Sequence, residues 1–286
     1  MKERITNKLC IAFLIFCLIV GVVNHIKSTT KKDVPDIAEE DLINYEDTVY
    51  QRESKKDKNI NPISYVMYDG EDHPIKAFDI DDDGNILKQY SVGKNDVRQI
   101  EYIYSYTNNS SGNPMTMIAK TSDSQRVVCM VKAKSSLEKP KYLYSYEYDE
   151  NGNTVYYSLE EFHYDEYGFL LAKETYIDGE GLKCTDNYRC SLEGKIIQDD
   201  LYNCEGTLKS TTIYEYTEFG EISQKVTYDT DGEVTDRTIY KYDSKDYLRK
   251  IETYTTFAGN VLLDGYTIYE YDIYETDSLG KFDENE

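Results

Sequence analysis

Residues 214–232 read YEYTEFGEISQKVTYDTDG, and this stretch holds one period of the pattern that decides the fold. Two strand-like runs, rich in Tyr, Ile, Val and Thr, each lead into a polar turn closed by a glycine, Gly220 and then Gly232. The pattern extends outward in both directions. Tyr176, Tyr202, Tyr228 and Tyr254 recur every 26 residues, and Gly168, Gly194 and Gly220 keep the same spacing. Self-similarity at a fixed period marks arrays whose units bury their apolar faces against their neighbours.

Each period divides into two halves. One set of turns falls at Asp165–Gly168, Ser191–Gly194, Thr217–Gly220 and Asp243–Asp246. The other falls at Asp178–Gly181, Asn203–Gly206, Asp229–Gly232 and Thr256–Gly259. A turn every 12 to 14 residues leaves strands of roughly eight to nine residues, with no helical periodicity to compete. Glycine closes the turns because a residue at positive φ is needed there, and Asp246 is expected to substitute for it once. The predicted fold is therefore all-β, a curled antiparallel meander of repeated hairpins. Strands one period apart are second neighbours, so the four tyrosines form a column across the sheet. Packed inside, that column is core; on the open face it is a candidate binding surface for a protein or a glycan.

The motif Tyr-x-Tyr-Asp-x-x-Gly stands intact at Tyr146-Glu147-Tyr148-Asp149-Glu150-Asn151-Gly152 and nearly so at Phe162-His163-Tyr164-Asp165-Glu166-Tyr167-Gly168. An aliphatic residue follows two places after the turn glycine, at Leu170, Ile196 and Ile222. In these respects residues 144–272 resemble the YD repeat of the rearrangement-hotspot (RHS) proteins, and residues 63–143 resemble it more weakly. The period is longer than the usual unit, and the Arg-Leu that often follows the glycine is absent, as in a divergent branch. MORN-type repeats are the second match. The resemblance implies a short, surface-displayed bacterial β-array with a binding or scaffolding role and too few repeats to close into a shell. It supplies no catalytic residue.

Leu9 to Val23 form a 15-residue apolar run, flanked by Lys2, Arg4 and Lys8 before it and Lys27, Lys31 and Lys32 after it. A span nominally needs about 20 residues, but His25, Ile26 and snorkelling lysines extend this one. No small-residue cleavage site follows, so an uncleaved signal anchor is preferred to a cleaved signal peptide, which would leave the chain secreted. The expected organisation is a cytoplasmic n-region at 1–8, a transmembrane helix at 9–26 and a charged linker at 27–62. Divergent repeats at 63–143 and regular repeats at 144–274 follow, then an acidic tail at 275–286. The net charge is −22; because residues 1–32 hold six basic and one acidic side chain, the remainder carries −27. An exterior this acidic repels nucleic acid and anionic lipid surfaces.

The sharpest local signal is Asp79-Ile80-Asp81-Asp82-Asp83-Gly84-Asn85-Ile86, which matches the first eight positions of a calcium loop with Asp79, Asp81 and Asp83 as ligands. Tyr90 occupies the place of the expected bidentate glutamate. Cys129, Cys184, Cys190 and Cys204 lie outside the apolar segment, read either as small core residues or as a bridge between hairpins. Histidine is scarce, and His163 alternates with Phe162 and Tyr164, so it is expected to meet solvent. No catalytic motif stands out. The expected function is non-enzymatic binding or scaffolding at the cell surface, the alternatives being an accessory or immunity-type component of a polymorphic toxin or secretion system, or a cell-wall enzyme.

Overall fold

The computed structural model describes residues 56, 60–108, 114–134, 137, 139–257 and 260–272. The n-region, the apolar segment, most of the 27–62 linker and the acidic tail lie outside the described residues. Among the described residues no helix is long and apolar enough to cross a membrane.

The repeats form sixteen antiparallel strands. The first eight are β1 (Ser64–Asp69), β2 (Pro74–Ile80), β3 (Ile86–Val92), β4 (Arg98–Asn108), β5 (Pro114–Thr121), β6 (Val127–Lys134), β7 (Tyr142–Tyr148) and β8 (Thr154–Tyr164). Then come β9 (Leu170–Ile177), β10 (Gly181–Cys190), β11 (Ile196–Asn203), β12 (Leu208–Tyr216), β13 (Ile222–Asp229), β14 (Val234–Tyr242), β15 (Leu248–Phe257) and β16 (Asn260–Glu270). Each pairs with the next in sequence, as a meander requires, and the divergent and regular repeats share this one sheet.

One expectation is corrected. The sheet is not an open curl: β1 pairs with β16 from Ser64↔Glu270 to Asp69↔Gly265, which closes a sixteen-stranded barrel. Closure removes both free edges, with their rows of unpaired backbone groups. The seam is fastened on both faces, by Tyr65 against Tyr269 and by Tyr68 stacked on Tyr266. Gly265 is required there because a Cβ would stand 2.5 Å from the Tyr68 carbonyl oxygen.

The turns explain the Tyr-Asp-x-x-Gly motif. At Asp149 the carboxylate accepts hydrogen bonds from the backbone N–H groups of Asn151 and Asn153, while Gly152 N–H donates to the Asp149 carbonyl. The same arrangement recurs at Asp165, Asn203, Asp229 and Asp243. It is a type I turn followed by a residue at positive φ. Gly232 supplies that residue at φ 83°, and Asp246 adopts φ 66° in the predicted substitution. The tyrosine before the turn reaches back to the start of the preceding strand: Tyr242 Oη donates to the Ile222 carbonyl at 2.8 Å and Tyr106 Oη to that of Ile86 at 3.1 Å. Cys190 takes the tyrosine's place once and keeps the contact, its thiol 3.4 Å from the Leu170 carbonyl.

Inside, the barrel has two unlike sides. Tyr65, Phe78, Tyr104, Met117, Ala119, Val131, Ala133 and Leu143 form an apolar cluster across β1–β7, and Tyr240, Leu248 and Ile251 continue it on β14 and β15. On β8 to β13 charged and hydroxyl side chains join the inward face, among them Glu160, Lys173, Asp186, Asp199 and Thr212.

Candidate functional site

Tyr176, Tyr202, Tyr228 and Tyr254 sit on β9, β11, β13 and β15, each within a few residues of its strand's end and each half-buried. Their bonded neighbours fix the side they face. Tyr176 Oη donates to Glu174 Oε2 at 2.6 Å and Tyr254 Oη to Glu252 Oε2 at 2.9 Å. Residues two apart share a face, so both tyrosines lie opposite Lys173 and the buried Ile251, which point inward. The column therefore lines the outer wall. The hydrogen bond to Glu174 pushes the Tyr176 phenol up to about 12.

The inward face of β8 to β13 carries a charged ladder. Glu160, Lys173, Asp186, Asp199 and Lys225 fall on successive or alternate strands. Lys173 and Asp186 are directly opposed in register, as are Tyr188 and Asp199, and Tyr214 and Lys225. Lys173 Nζ lies 3.0 Å from Asp186 Oδ2 and 3.6 Å from Glu160 Oε1. Thr212 Oγ1 and Thr227 Oγ1, 3.0 Å apart, continue the polar stripe.

Three acids face two ammonium groups here, and the surplus carboxylate shows in the protonation behaviour. Burial, reinforced by Asp186, pushes Asp199 up to about 7. Burial also raises Glu160, although Lys173 opposes it. Lys173 is lifted above the ordinary lysine range because Glu160 and Asp186 outweigh its burial. Lys225, which burial affects most, falls to about 8 despite Asp199. Glu160 Oε2 and Asp199 Oδ1 are buried and have no hydrogen-bond partner among the described residues. An unsatisfied buried acceptor is costly, so the ladder can accept hydrogen bonds from a polar guest. Clusters of perturbed groups of this kind mark candidate sites.

Sequence reading missed this ladder, although the signal was present. Lys173, Asp186 and Asp199 are 13 residues apart and Lys225 lies 26 further on, which is the half-period applied to charges instead of tyrosines. The calcium-loop residues Asp79 and Asp81 serve the β2–β3 hairpin. Asp81 accepts from the backbone N–H groups of Asp83 and Asn85 and from the Asn85 amide, as the turn aspartate of the β2–β3 hairpin. Asp79 lies within β2 and accepts from Tyr90 Oη. Cys129, Cys184, Cys190 and Cys204 form no disulfide. His163 is exposed on the outer wall, as expected.

No protein-family model matches the chain, and no curated protein matches it in sequence. Solved structures are similar to it in part. A porin-like protein from Bacteroides uniformis ATCC 8492 shares 10% identity at a TM-score of 0.46, over 74% of this chain and 98% of that one. A porin-like protein from Bacteroides vulgatus ATCC 8482 shares 7% identity at 0.42, again over 74% and 98%. The TcdB2-TccC3-Cdc42 structure shares 12% identity at 0.24, over 72% of this chain and 14% of that one. These likenesses are loose, and the barrel rests on its own strand pairing.

Proposed function

We propose that this chain is a non-enzymatic binding protein, an acidic β-barrel that meets a protein or glycan partner at the cell surface through the outer column Tyr176, Tyr202, Tyr228 and Tyr254. The observation that supports it is the outward, half-buried placement of that column beside Glu174 and Glu252. Tyrosine gives large, rigid, amphipathic contact area at low entropy cost. Glu174, partly exposed beside Tyr176, adds an acceptor for sugar hydroxyls or for basic side chains.

The outer wall also carries Asp200, Arg237 and Lys250 within its strands. A barrel surrounded by lipid needs an apolar outer band, and charge at mid-depth there is destabilising. The barrel accordingly stands in water, with the expected signal anchor at 9–26 attaching it to the membrane.

The test is retention of cell-surface proteins or purified wall glycans on the immobilised full-length chain in detergent. Retention that falls when Tyr202 and Tyr228 are replaced by alanine supports the reading. Capture of nothing from either source, or capture indifferent to both substitutions, sinks it.

A further inference from the structure

We propose that the outer wall holds a zinc(II) site formed by Glu161, His163 and Glu174, beside Tyr176 of the tyrosine column. Glu161 and His163 occupy alternate positions of β8 and so share its outer face, and Glu174 on β9 is directly opposed to Glu161. One ligand atom from each of the three lies within 4.8 Å of the others. His163 Nε2 stands 3.8 Å from Glu174 Oε2. Ligands of one tetrahedral zinc with bonds of about 2.0–2.2 Å lie about 3.3 Å apart, so small side-chain rotations complete the site without moving either strand.

The surroundings suit a metal centre. The Glu174 oxygen that faces His163 also accepts from Tyr176 Oη, and Tyr142 stands directly opposite Glu161 in register. Outer groups of this kind orient ligands and raise their affinity. Two carboxylates with one imidazole favour zinc over calcium or magnesium, which take oxygen ligands in larger number. Three protein ligands leave a fourth position open. Beside His163 lies an open depression of about 450 Å³ lined by Lys139, Lys141, Phe162, His163 and Tyr164. A water fits that position.

The experiment uses the full-length chain in detergent, stripped with a chelator and titrated calorimetrically with zinc chloride, then with calcium chloride. One saturable zinc equivalent is expected, with affinity at least tenfold weaker in His163→Ala and in Glu174→Gln. Tyr176→Phe should weaken zinc by about tenfold without changing the stoichiometry, as the loss of an orienting group does. Melting temperatures near that of the parent establish that the variants fold. Cobalt(II) in place of zinc should give a visible spectrum free of thiolate charge-transfer absorption. The absence of saturable zinc binding, unchanged affinity in His163→Ala, or a thiolate band pointing to the cysteines each overturns the assignment.

Discussion

Tyr65 on the first strand and Tyr269 on the last are paired in register, their rings 5.4 Å apart, and this contact joins the two ends of the chain's sheet. Tyr65 is 2% exposed and also stacks on Phe78 at 4.4 Å. Tyr269 packs against both apolar clusters, so the seam is where they become one core.

Removing that contact should open the barrel. Tyr65→Ala is expected to cost about 3–5 kcal/mol by analogy with aromatic core truncations. Gly265→Ala should cost about 1–3 kcal/mol, since its Cβ forces the seam apart. Urea unfolding of the two variants checks both values, and parental stability in either would show that the seam contributes little.

The charged ladder predicts an unusual pH dependence. Asp199 is raised from 3.8 to about 7, so between those values the folded chain holds a proton that the unfolded chain releases. Its stabilising contribution is complete at low pH and is lost as pH rises through 7. At about 1.4 kcal/mol per pH unit between the two values, the loss is roughly 4 kcal/mol at most. Lys225, lowered from 10.5 to about 8, acts with the opposite sign, and stability recovers from pH 8 upward. Asp199→Asn should therefore match the parent near pH 4 and exceed it near pH 8. Melting curves across that range test the prediction, and a variant weaker than the parent at pH 8 contradicts it.

The tyrosine-to-carbonyl contacts contribute locally. Tyr242→Phe leaves the Ile222 carbonyl without its donor and should cost about 1 kcal/mol, the usual net value of one hydrogen bond. Hydrogen exchange at the start of β13 should quicken in the variant, while β4 stays as protected as before.

Much of this was legible in the sequence, for reasons that particular residues make plain. The turns announced themselves because Asp149, Asp229 and Gly232 each satisfy a local backbone need, so hairpin order, the all-β fold and the conformation of Asp246 could be read directly. Closure could not, because nothing in the run Ser64–Asp69 specifies a partner two hundred residues away. The side taken by the tyrosine column was equally hidden, since alternation gives two faces without saying which is inside. The ladder escaped because Lys173 and Asp199 are ordinary strand charges until the register opposes them to Asp186 and Tyr188. Glu161, His163 and Glu174 escaped because the set is assembled across two strands.

Asp81 bears on the calcium reading. Its carboxylate already accepts three donors of its own turn, so Asp81→Ala should cost about 1 kcal/mol whether or not calcium is present. Thermal melts with and without millimolar calcium test that expectation: a calcium-induced rise in Tm that the substitution abolishes would support a metal loop at Asp79, Asp81 and Asp83, and no shift would count against it.

The wall is two-sided, with the 26-residue tyrosines outside and the 13-residue ladder and its apolar continuation inside. Paired unfolding of Tyr228→Ala and Tyr240→Ala in the full-length chain measures that sidedness. Tyr240 is 6% exposed within the inner cluster and its loss should cost about 3–5 kcal/mol, whereas Tyr228→Ala should cost about 1 kcal/mol or less, as expected at a surface site. The reverse order, with Tyr228 the costlier, would turn the sheet inside out and contradict the account.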